Sequence, residues 1–307
     1  MSVLSSESFY WVNDQIIYIP ARYTVDSGGN AICTHTFSLD HAFDECTSVD
    51  TEGLYYAFYG CTDLIGSISF PELASVDTNG LYYAFYGCTS ITSVSFHKLT
   101  SIGSHGLEYA FNGCTGITST SFPELTSIGS DGLYAAFRGC TSITGSVSFP
   151  ELASVDHRGL ACAFDGCTRI TSVSFPKLTS IGDSGLSSAF EGCTGITSIS
   201  FPKLTSIESG GLINAFNGCS GITGSISFPE LTSIIGSGLY TAFQGCTGIT
   251  SISFPKLTSI GELYDAFDGC TGITEIHFRA DTRSTVEALY GYSSKFGASN
   301  ATIYFDL

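Results

Sequence analysis

Apolar and polar residues alternate along a short segment that recurs through the chain. In the copy "SISF", Ile252 and Phe254 alternate with Ser251 and Ser253. Successive side chains of a β-strand point to opposite faces, so this alternation predicts a strand with the isoleucine and phenylalanine turned inward and the serines turned outward.

A second apolar pattern, with a different spacing, follows each predicted strand. Leu54, Ala57, Phe58 and Cys61 stand at positions i, i+3, i+4 and i+7. This spacing is typical of one face of an α-helix and predicts about two helical turns. Gly60, just before the cysteine, can adopt the left-handed conformation that ends a helix.

The two patterns together form a unit that repeats every 26 or 27 residues in most steps. Such self-similarity predicts a solenoid, in which each unit buries its apolar side against its neighbours. The phenylalanine of the strand marks ten units: Phe43, Phe70, Phe96, Phe122, Phe149, Phe175, Phe201, Phe228, Phe254 and Phe278.

The predicted fold class is therefore an α/β repeat, a leucine-rich-repeat solenoid of about ten rungs with one parallel strand and one short helix each. We expect an N-terminal cap over residues 1–39, the solenoid over 40–278, and a C-terminal cap of helix plus strand over 279–307. Gly66, Gly145 and Gly224 are the extra residues of the 27-residue units. Their spacing of 79 residues indicates a three-unit block copied in tandem.

Nine of the twelve cysteines end the second pattern, where position i+7 faces the core. A small thiol behaves there as an apolar group. Neighbouring rungs should place their Cβ atoms about 4.8 Å apart, whereas a disulfide needs about 3.8 Å, so we expect reduced thiols. This thiol ladder comprises Cys61, Cys88, Cys114, Cys140, Cys167, Cys193, Cys219, Cys246 and Cys270.

The repeated pattern LxxLx(F)PxLxxI followed by AFxxC resembles the BspA-like class of leucine-rich repeats, over roughly residues 40–278. The units here are about three residues longer than in that class. The resemblance implies a binding or adhesion module of a microbial surface or secreted protein, which recognises a host or matrix protein or a glycan. It implies an extracellular or cell-surface location, although the N-terminal residues show no secretory signal.

The charge of the chain excludes several classes of partner. Its net charge is −17 and its pI about 4.4, so it lacks the cations needed to neutralise nucleic-acid phosphates or to dock on anionic lipid. No apolar run approaches the ~18 residues of a membrane span. No nucleophile elbow, phosphate loop or metal motif is present, so we expect no enzyme activity, no cofactor and no metal.

Tyrosines cluster beside the apolar pattern of the first units and then give way to serine, isoleucine and asparagine. Tyrosine is favoured where binding buries a ring while its hydroxyl stays hydrated. The cluster is our main candidate site, with packing between rungs as the alternative. This tyrosine patch comprises Tyr55, Tyr56, Tyr59, Tyr82, Tyr83, Tyr86 and Tyr109.

The outward side of the predicted strands is nearly all serine and forms a weaker candidate. A solvated polar face left by duplication is one reading, and contact with a glycan or with ice through ordered hydroxyls is another. A surface tuned to one protein would carry aromatic or arginine anchors instead. The candidate positions on this serine face are Ser93, Ser95, Ser172, Ser174, Ser198 and Ser200.

Two further features leave alternatives open. Cys33, His35, His41 and Cys46 include zinc-ligand types, but their spacing matches no standard site, so cap residues are expected. Cys162 replaces a tyrosine and is expected to be exposed and unpaired.

A structural role, with solenoids stacked in a virion, filament or surface layer, is the alternative function, and the sequence leaves the oligomeric state open.

Overall fold

A computed structural model describes residues 8–12, 15–19, 23–25, 31–33 and 37–307, with side chains from residue 38 onward. Near the N-terminus, β1 (Ser8–Val12) pairs antiparallel with β2 (Gln15–Ile19). Likewise β3 (Tyr23–Val25) pairs antiparallel with β4 (Ala31–Cys33). From residue 37 onward the chain winds into a solenoid, each turn of which is called a rung below.

Every rung contributes parallel strands to one or two columns along the solenoid. In chain order the elements are β5 (Phe37–Ser38), β6 (Ser48–Val49), β7 (Leu64–Ser69), β8 (Ser75–Val76), β9 (Ile91–Ser95), β10 (Ser101–Ile102), β11 (Thr120–Ser121), β12 (Ser127–Ile128), β13 (Gly145–Ser148), β14 (Ser154–Val155), β15 (Ile170–Ser174), β16 (Ser180–Ile181), β17 (Ser198–Ser200), β18 (Ser206–Ile207), β19 (Thr223–Ser227), β20 (Ser233–Ile234), β21 (Gly248–Phe254), β22 (Glu275–Phe278), α1 (Arg283–Glu287) and β23 (Thr302–Phe305).

The first column contains the strands that the alternating pattern predicts. β21 and β22 pair in parallel, with Ile252 opposite Ile276 and Phe254 opposite Phe278. All four side chains are fully buried, as the inward orientation requires. The second column consists of the even-numbered strands β6 to β12 and β14 to β20, which have two residues each. A parallel, repeated solenoid is thus confirmed.

The 79-residue block has a structural counterpart in three β-bulges. Gly66, Gly145 and Gly224 have φ values of 88°, 81° and 78°. The strand register shifts directly after each of them. A bulge accommodates one extra residue in a strand, and glycine adopts the left-handed conformation without a steric penalty. The 27-residue units therefore absorb their additional residue at the bulge.

The prediction of a short helix in each rung is wrong. The corresponding turn segments are residues 52–60, 79–87, 105–113, 131–139, 158–166, 184–192, 210–218, 237–245 and 262–269, and they consist of consecutive turns.

The first of these turn segments shows the pattern. Glu52, Tyr56 and Gly60 have φ values of 58°, 54° and 71°, so every fourth residue is left-handed. Between them the Ala57 N–H donates to the Leu54 carbonyl three residues back, at 3.0 Å. A right-handed helix cannot continue through a left-handed residue, because its hydrogen bonds need right-handed dihedrals throughout.

The remaining backbone groups of the turn segments bond from rung to rung. The Tyr56 N–H donates to the Tyr82 carbonyl at 2.9 Å, and the Tyr83 N–H donates to the Glu108 carbonyl at 3.0 Å. Since Tyr82 and Tyr83 share one peptide, that peptide accepts from the rung before and donates to the rung after. Four parallel columns of the same kind pass through Asn79, Leu81, Phe85 and Gly87.

The core contains two columns of stacked phenylalanines among buried leucine, isoleucine, valine, alanine and cysteine side chains. One contains the strand phenylalanines, such as Phe149 and Phe175, whose ring centroids lie 5.3 Å apart. The other contains the turn-segment phenylalanines, such as Phe164 and Phe190, at 5.5 Å. Edge-to-face contacts join the columns, for example Phe149 with Phe164 at 6.4 Å.

The thiol ladder is buried, and each free thiol has a hydrogen-bond partner in the rung before it. The Cys140 S–H donates to the Phe111 carbonyl at 3.1 Å. Every other ladder thiol between Cys88 and Cys270 makes the equivalent bond to a phenylalanine carbonyl of the rung before it. Burial raises the pKa of Cys88 to about 12, which keeps the thiol protonated as a donor. Cys61 is the exception to the expected reduced ladder, because it is disulfide-bonded.

The C-terminal end of the solenoid carries a histidine between two carboxylates. The His277 Nδ1 lies 2.9 Å from Oδ1 of Asp306, and its Nε2 lies 3.4 Å from Oε2 of Glu275. The ring also stacks on Tyr304 of β23, with centroids 4.9 Å apart. Burial disfavours the charged ring, but the two carboxylates outweigh it and raise the pKa of His277 above its ordinary 6.5.

This arrangement predicts a stability contribution that depends on pH. Because the folded pKa is raised, the contribution is fully present below pH 6.5 and is lost as the pH rises through the folded pKa. We expect it to reach at most about 1 kcal/mol, the range of partly exposed ion pairs. Urea unfolding of the native chain and His277→Gln between pH 5 and 9 measures the difference. A difference that grows with pH would contradict the prediction.

Candidate binding surface

The tyrosine patch forms three rows on the outward side of the turn segments, called the turn face below. Rings at equivalent positions of successive rungs lie nearly parallel. Tyr55 stacks on Tyr82 with centroids 5.0 Å apart and an interplanar angle of 8°. Tyr56 stacks on Tyr83 at 4.9 Å, and Tyr83 on Tyr109 at 4.5 Å. The third row contains Tyr59 and Tyr86, also stacked, at 4.9 Å.

The structure therefore brings all seven predicted tyrosines together into one continuous surface. Tyr55 and Tyr56 retain 44% and 40% of their accessible surface, and the others are half-buried. Because neighbouring rings cover each other's faces, the patch presents mainly ring edges and hydroxyl groups. Burial raises the pKa of Tyr82 and of Tyr83 to about 12, so both hydroxyls remain protonated donors at neutral pH.

A charged cluster borders the tyrosine patch at the rung where glutamate replaces tyrosine in one of its rows. Glu108 stands in the row of Tyr55 and Tyr82, and the Nδ1 of His105 contacts its Oε2. Burial, acting first, raises the pKa of Glu108 despite the opposing effect of His105. Glu108 in turn contributes to the raised pKa of Tyr82.

The next rung continues the row with Tyr134. Its ring makes an edge-to-face contact with Tyr109 at 5.3 Å. The guanidinium of Arg158 lies over the Tyr134 ring, with its Cζ 4.3 Å from the ring centroid. Arg158 also pairs with the largely buried Asp131, at 3.1 Å between Nη1 and Oδ1.

Comparison with protein-family models decides the relationship of the chain. The model of the BspA-type leucine-rich-repeat region matches six copies, over residues 52–157, 107–237 and 160–296. The chain belongs to the BspA-type leucine-rich-repeat family. Members of this family are built as repeat proteins suited to binding. Among curated proteins, no sequence matches the chain.

Solved leucine-rich-repeat structures show distant likeness to this BspA-type chain. One is a leucine-rich-repeat protein from Bacteroides ovatus, 17% identical, with a TM-score of 0.33, covering 99% of this chain and 100% of that one. Another is a leucine-rich cell surface protein from Faecalibacterium prausnitzii, 17% identical, TM-score 0.35, covering 97% and 94%. The pneumococcal vaccine antigen PcpA is 14% identical, TM-score 0.38, covering 99% and 88%.

Sequence reasoning missed a second tyrosine row on the turn face of this BspA-type solenoid. Tyr240 stacks on Tyr264 at 5.7 Å, and Tyr264 lies 5.1 Å from Tyr290, which is 76% exposed. Tyr134 was missed in the same way. Counting rungs of 26 and 27 residues would have found most of them, since Tyr134, Tyr240 and Tyr264 all occupy the position of Tyr55.

The serine face is an array of hydroxyls, some of which bond to each other. The Ser93 hydroxyl donates to Ser67 at 2.7 Å, and Ser95 donates to Ser69 at 3.2 Å. The other four candidates also lie on the outward side of their strands. Ser172 and Ser174 are half-buried, while Ser198 and Ser200 are exposed.

The cysteine and histidine group near the N-terminus lies partly outside the described residues, which exclude His35 and the Cys33 side chain. His41 pairs with Asp44 at 2.7 Å, and the Cys46 thiol donates to the Ser48 carbonyl at 3.2 Å. Within residues 38–307, no cluster of His, Cys, Asp and Glu could hold a metal. None of the helices in the described part of the chain has the length and apolarity to cross a lipid bilayer.

Cys162 differs from the ladder thiols in its surroundings. It is free, as expected, but it is half-buried and not exposed. Burial and the neighbouring Asp165 raise its pKa, while Arg138 opposes them. Arg138 itself is paired with Asp165 at 2.8 Å between Nε and Oδ2.

Proposed function

We propose that this chain is a non-catalytic binding module that recognises a partner protein through the tyrosine patch. The observation that carries the proposal is the stacking of seven tyrosines into one partly exposed surface, the largest group of contacting tyrosines on the described turn face. Tyrosine is enriched at interfaces because it offers a large contact area and a hydroxyl while losing little conformational freedom on binding. The rigid stack fixes the rings before the partner arrives.

The arrangement of the rings favours a protein over a glycan. Sugars pack their apolar side on an open aromatic face, whereas here neighbouring rings 4.5–5.0 Å apart cover most faces. Ring edges and protonated hydroxyls suit the backbone carbonyls and polar side chains of a protein. The serine face is the weaker candidate, because Ser93 and Ser95 already donate their hydrogens to neighbouring serines.

Family membership supports a location on the cell surface or outside the cell. The structural relatives include a leucine-rich cell surface protein, and a host or matrix protein is the class of partner that this location offers. The competing proposal, a stacked structural component, needs no such partner.

The test is a binding screen of the purified chain against extracellular-matrix and host-surface proteins, with a variant in which Tyr55, Tyr56 and Tyr82 become serine. We expect the variant to fold and to lose at least tenfold in affinity, since it removes the exposed ring area. The matched control is Tyr240→Ser with Tyr264→Ser, which removes stacked tyrosines elsewhere on the turn face.

The possible outcomes separate the proposals. Binding that survives the triple substitution would place the site elsewhere and overturn the role of the patch. Equal loss in the control would show that tyrosine content matters and not the position of the patch. No binding to any protein, combined with self-association of the chain, would favour the structural component.

A further inference from the structure

The row of Tyr55 and Tyr82 is interrupted at Glu108, so no ring stacks on the side of Tyr82 that faces this residue. The ring contacts of Tyr82 are with Tyr55, Tyr56 and Tyr83. In the described chain no ring stacks on Tyr82 from the next rung, because the equivalent position there holds Glu108. A tyrosine face therefore borders a carboxylate, the two components that bind a cation by cation–π and ionic attraction.

The chain itself shows how a cation occupies such a place. One rung further, the Arg158 guanidinium lies 4.3 Å from the centroid of Tyr134 and pairs with the Asp131 carboxylate at 3.1 Å. Glu108 and Tyr82 offer the same pair of groups, and no described guanidinium forms an ion pair with Glu108, although the charges of Asp131 and Arg158 act on it from later rungs. His105 contacts only Oε2 of Glu108, and no described residue donates a hydrogen bond to Oε1.

The surrounding charge also favours a cation. The nine turn segments contain eight carboxylates and two arginines. Both arginines are already paired, Arg138 with Asp165 and Arg158 with Asp131. The turn face therefore has a surplus of negative charge, which attracts and orients a basic partner.

We propose that the interruption at Glu108 receives an arginine or lysine side chain from a basic segment of a partner protein. The inference rests on the proposed function and names the chemistry of its partner. The side chain lies against the side of Tyr82 that faces Glu108 and pairs with that carboxylate, while the flanking tyrosine hydroxyls bond to the backbone of the segment. Glu108 is half-buried, with a side-chain exposure of 13%, so the pair forms away from bulk solvent.

The test uses a fluorescein-labelled dodecapeptide of alternating arginine and glycine, and the same peptide with citrulline in place of arginine. Citrulline keeps the shape of arginine and removes its charge. Binding to the full chain is followed by fluorescence anisotropy at 0.15 M salt. The variants are Glu108→Gln, which keeps the acceptor for His105, and Glu191→Gln. Glu191 is a carboxylate on the same face that accepts a hydrogen bond from the Asn217 amide.

We expect the arginine peptide to bind, the citrulline peptide to bind at least tenfold more weakly, and Glu108→Gln to weaken binding at least tenfold. Glu191→Gln should change affinity less than twofold. Affinity should also rise with pH between 4 and 7, because a cation binds the ionised form of Glu108, which is faced by His105 of its own turn segment and by Asp131 and Arg158 of later ones.

Two results would overturn the inference. Equal losses in Glu108→Gln and Glu191→Gln would mean that the peptide responds only to the general acidity of the face. Absence of arginine-dependent binding would remove the cation site. If a protein found in the screen is lost with the tyrosine triple variant but kept with Glu108→Gln, the proposed function stands and the cation site fails.

Discussion

Replacing Phe164 with alanine is expected to lower the free energy of unfolding by about 3–5 kcal/mol. Phe164 is fully buried, and its ring stacks on Phe137 at 5.4 Å and on Phe190 at 5.5 Å. It also contacts Phe149 edge to face. The substitution therefore removes four sets of interactions at once: the burial of one ring, its two stacking contacts and its link to the strand column.

The measurement is urea unfolding followed by circular dichroism. Phe164→Leu is the matched control and should cost less than half as much, because it refills most of the cavity. A double variant with Phe137→Ala should show a coupling of about 0.5–1.5 kcal/mol, the value of a stacked aromatic pair. Strict additivity, or a loss below about 1 kcal/mol for Phe164→Ala, would show that the rings do not act as a coupled column.

Replacing either of two adjacent serines in one rung with glycine should change the free energy of unfolding in opposite directions. Ser188 has a φ of 52°, whereas Ser187 is not in the left-handed region. Ser188→Gly should raise the free energy of unfolding by about 0.5–1 kcal/mol, because glycine adopts this conformation without the steric cost. Ser187→Gly should lower it by a similar ~0.5–1 kcal/mol, since it only adds freedom to the unfolded chain.

The pair is well matched. Both serines are half-buried, and both N–H groups are bonded, Ser187 to the Ser184 carbonyl at 3.0 Å and Ser188 to the Ile213 carbonyl at 2.7 Å. A helix would lose stability from either substitution. Urea unfolding of the two variants therefore distinguishes consecutive turns from a helix by the sign of the change in unfolding free energy for Ser188→Gly. Destabilisation by this substitution would contradict the turn geometry.

The failure of the helix prediction has an identifiable cause. Leu54, Ala57, Phe58 and Cys61 are all buried, as their spacing indicates. Turns with a left-handed residue every fourth position bury the same four positions as a helix, so apolar periodicity cannot tell them apart. The residue types give little help, because the left-handed position of Tyr56 is occupied in other rungs by Ala135, Cys162 and Thr241.

The sequence predicted the tyrosines of the candidate site but not all of the residues in its rows. The tyrosines were visible as a cluster, and their stacking follows from a rung repeat of about 4.8 Å, which is within the range of centroid separations of paired aromatic rings. Glu108 and Tyr134 belong to the same rows but are recognised only when 26- and 27-residue units are aligned. Cys61 could not be anticipated from its place in the ladder, because a disulfide depends on a partner that the repeat does not specify.

The rung-to-rung peptide columns give the solenoid an electrical polarity. In all five columns the N–H groups point toward later rungs and the carbonyls toward earlier ones. Each peptide carries a dipole of about 3.5 D, and aligned dipoles add, so the positive end lies at the C-terminal rungs. Three carboxylates, Glu262, Asp265 and Asp268, lie in the last turn segment, where they complement that end. Because hydrogen bonds in a chain polarise one another, each copied block strengthens the columns of the rungs before it.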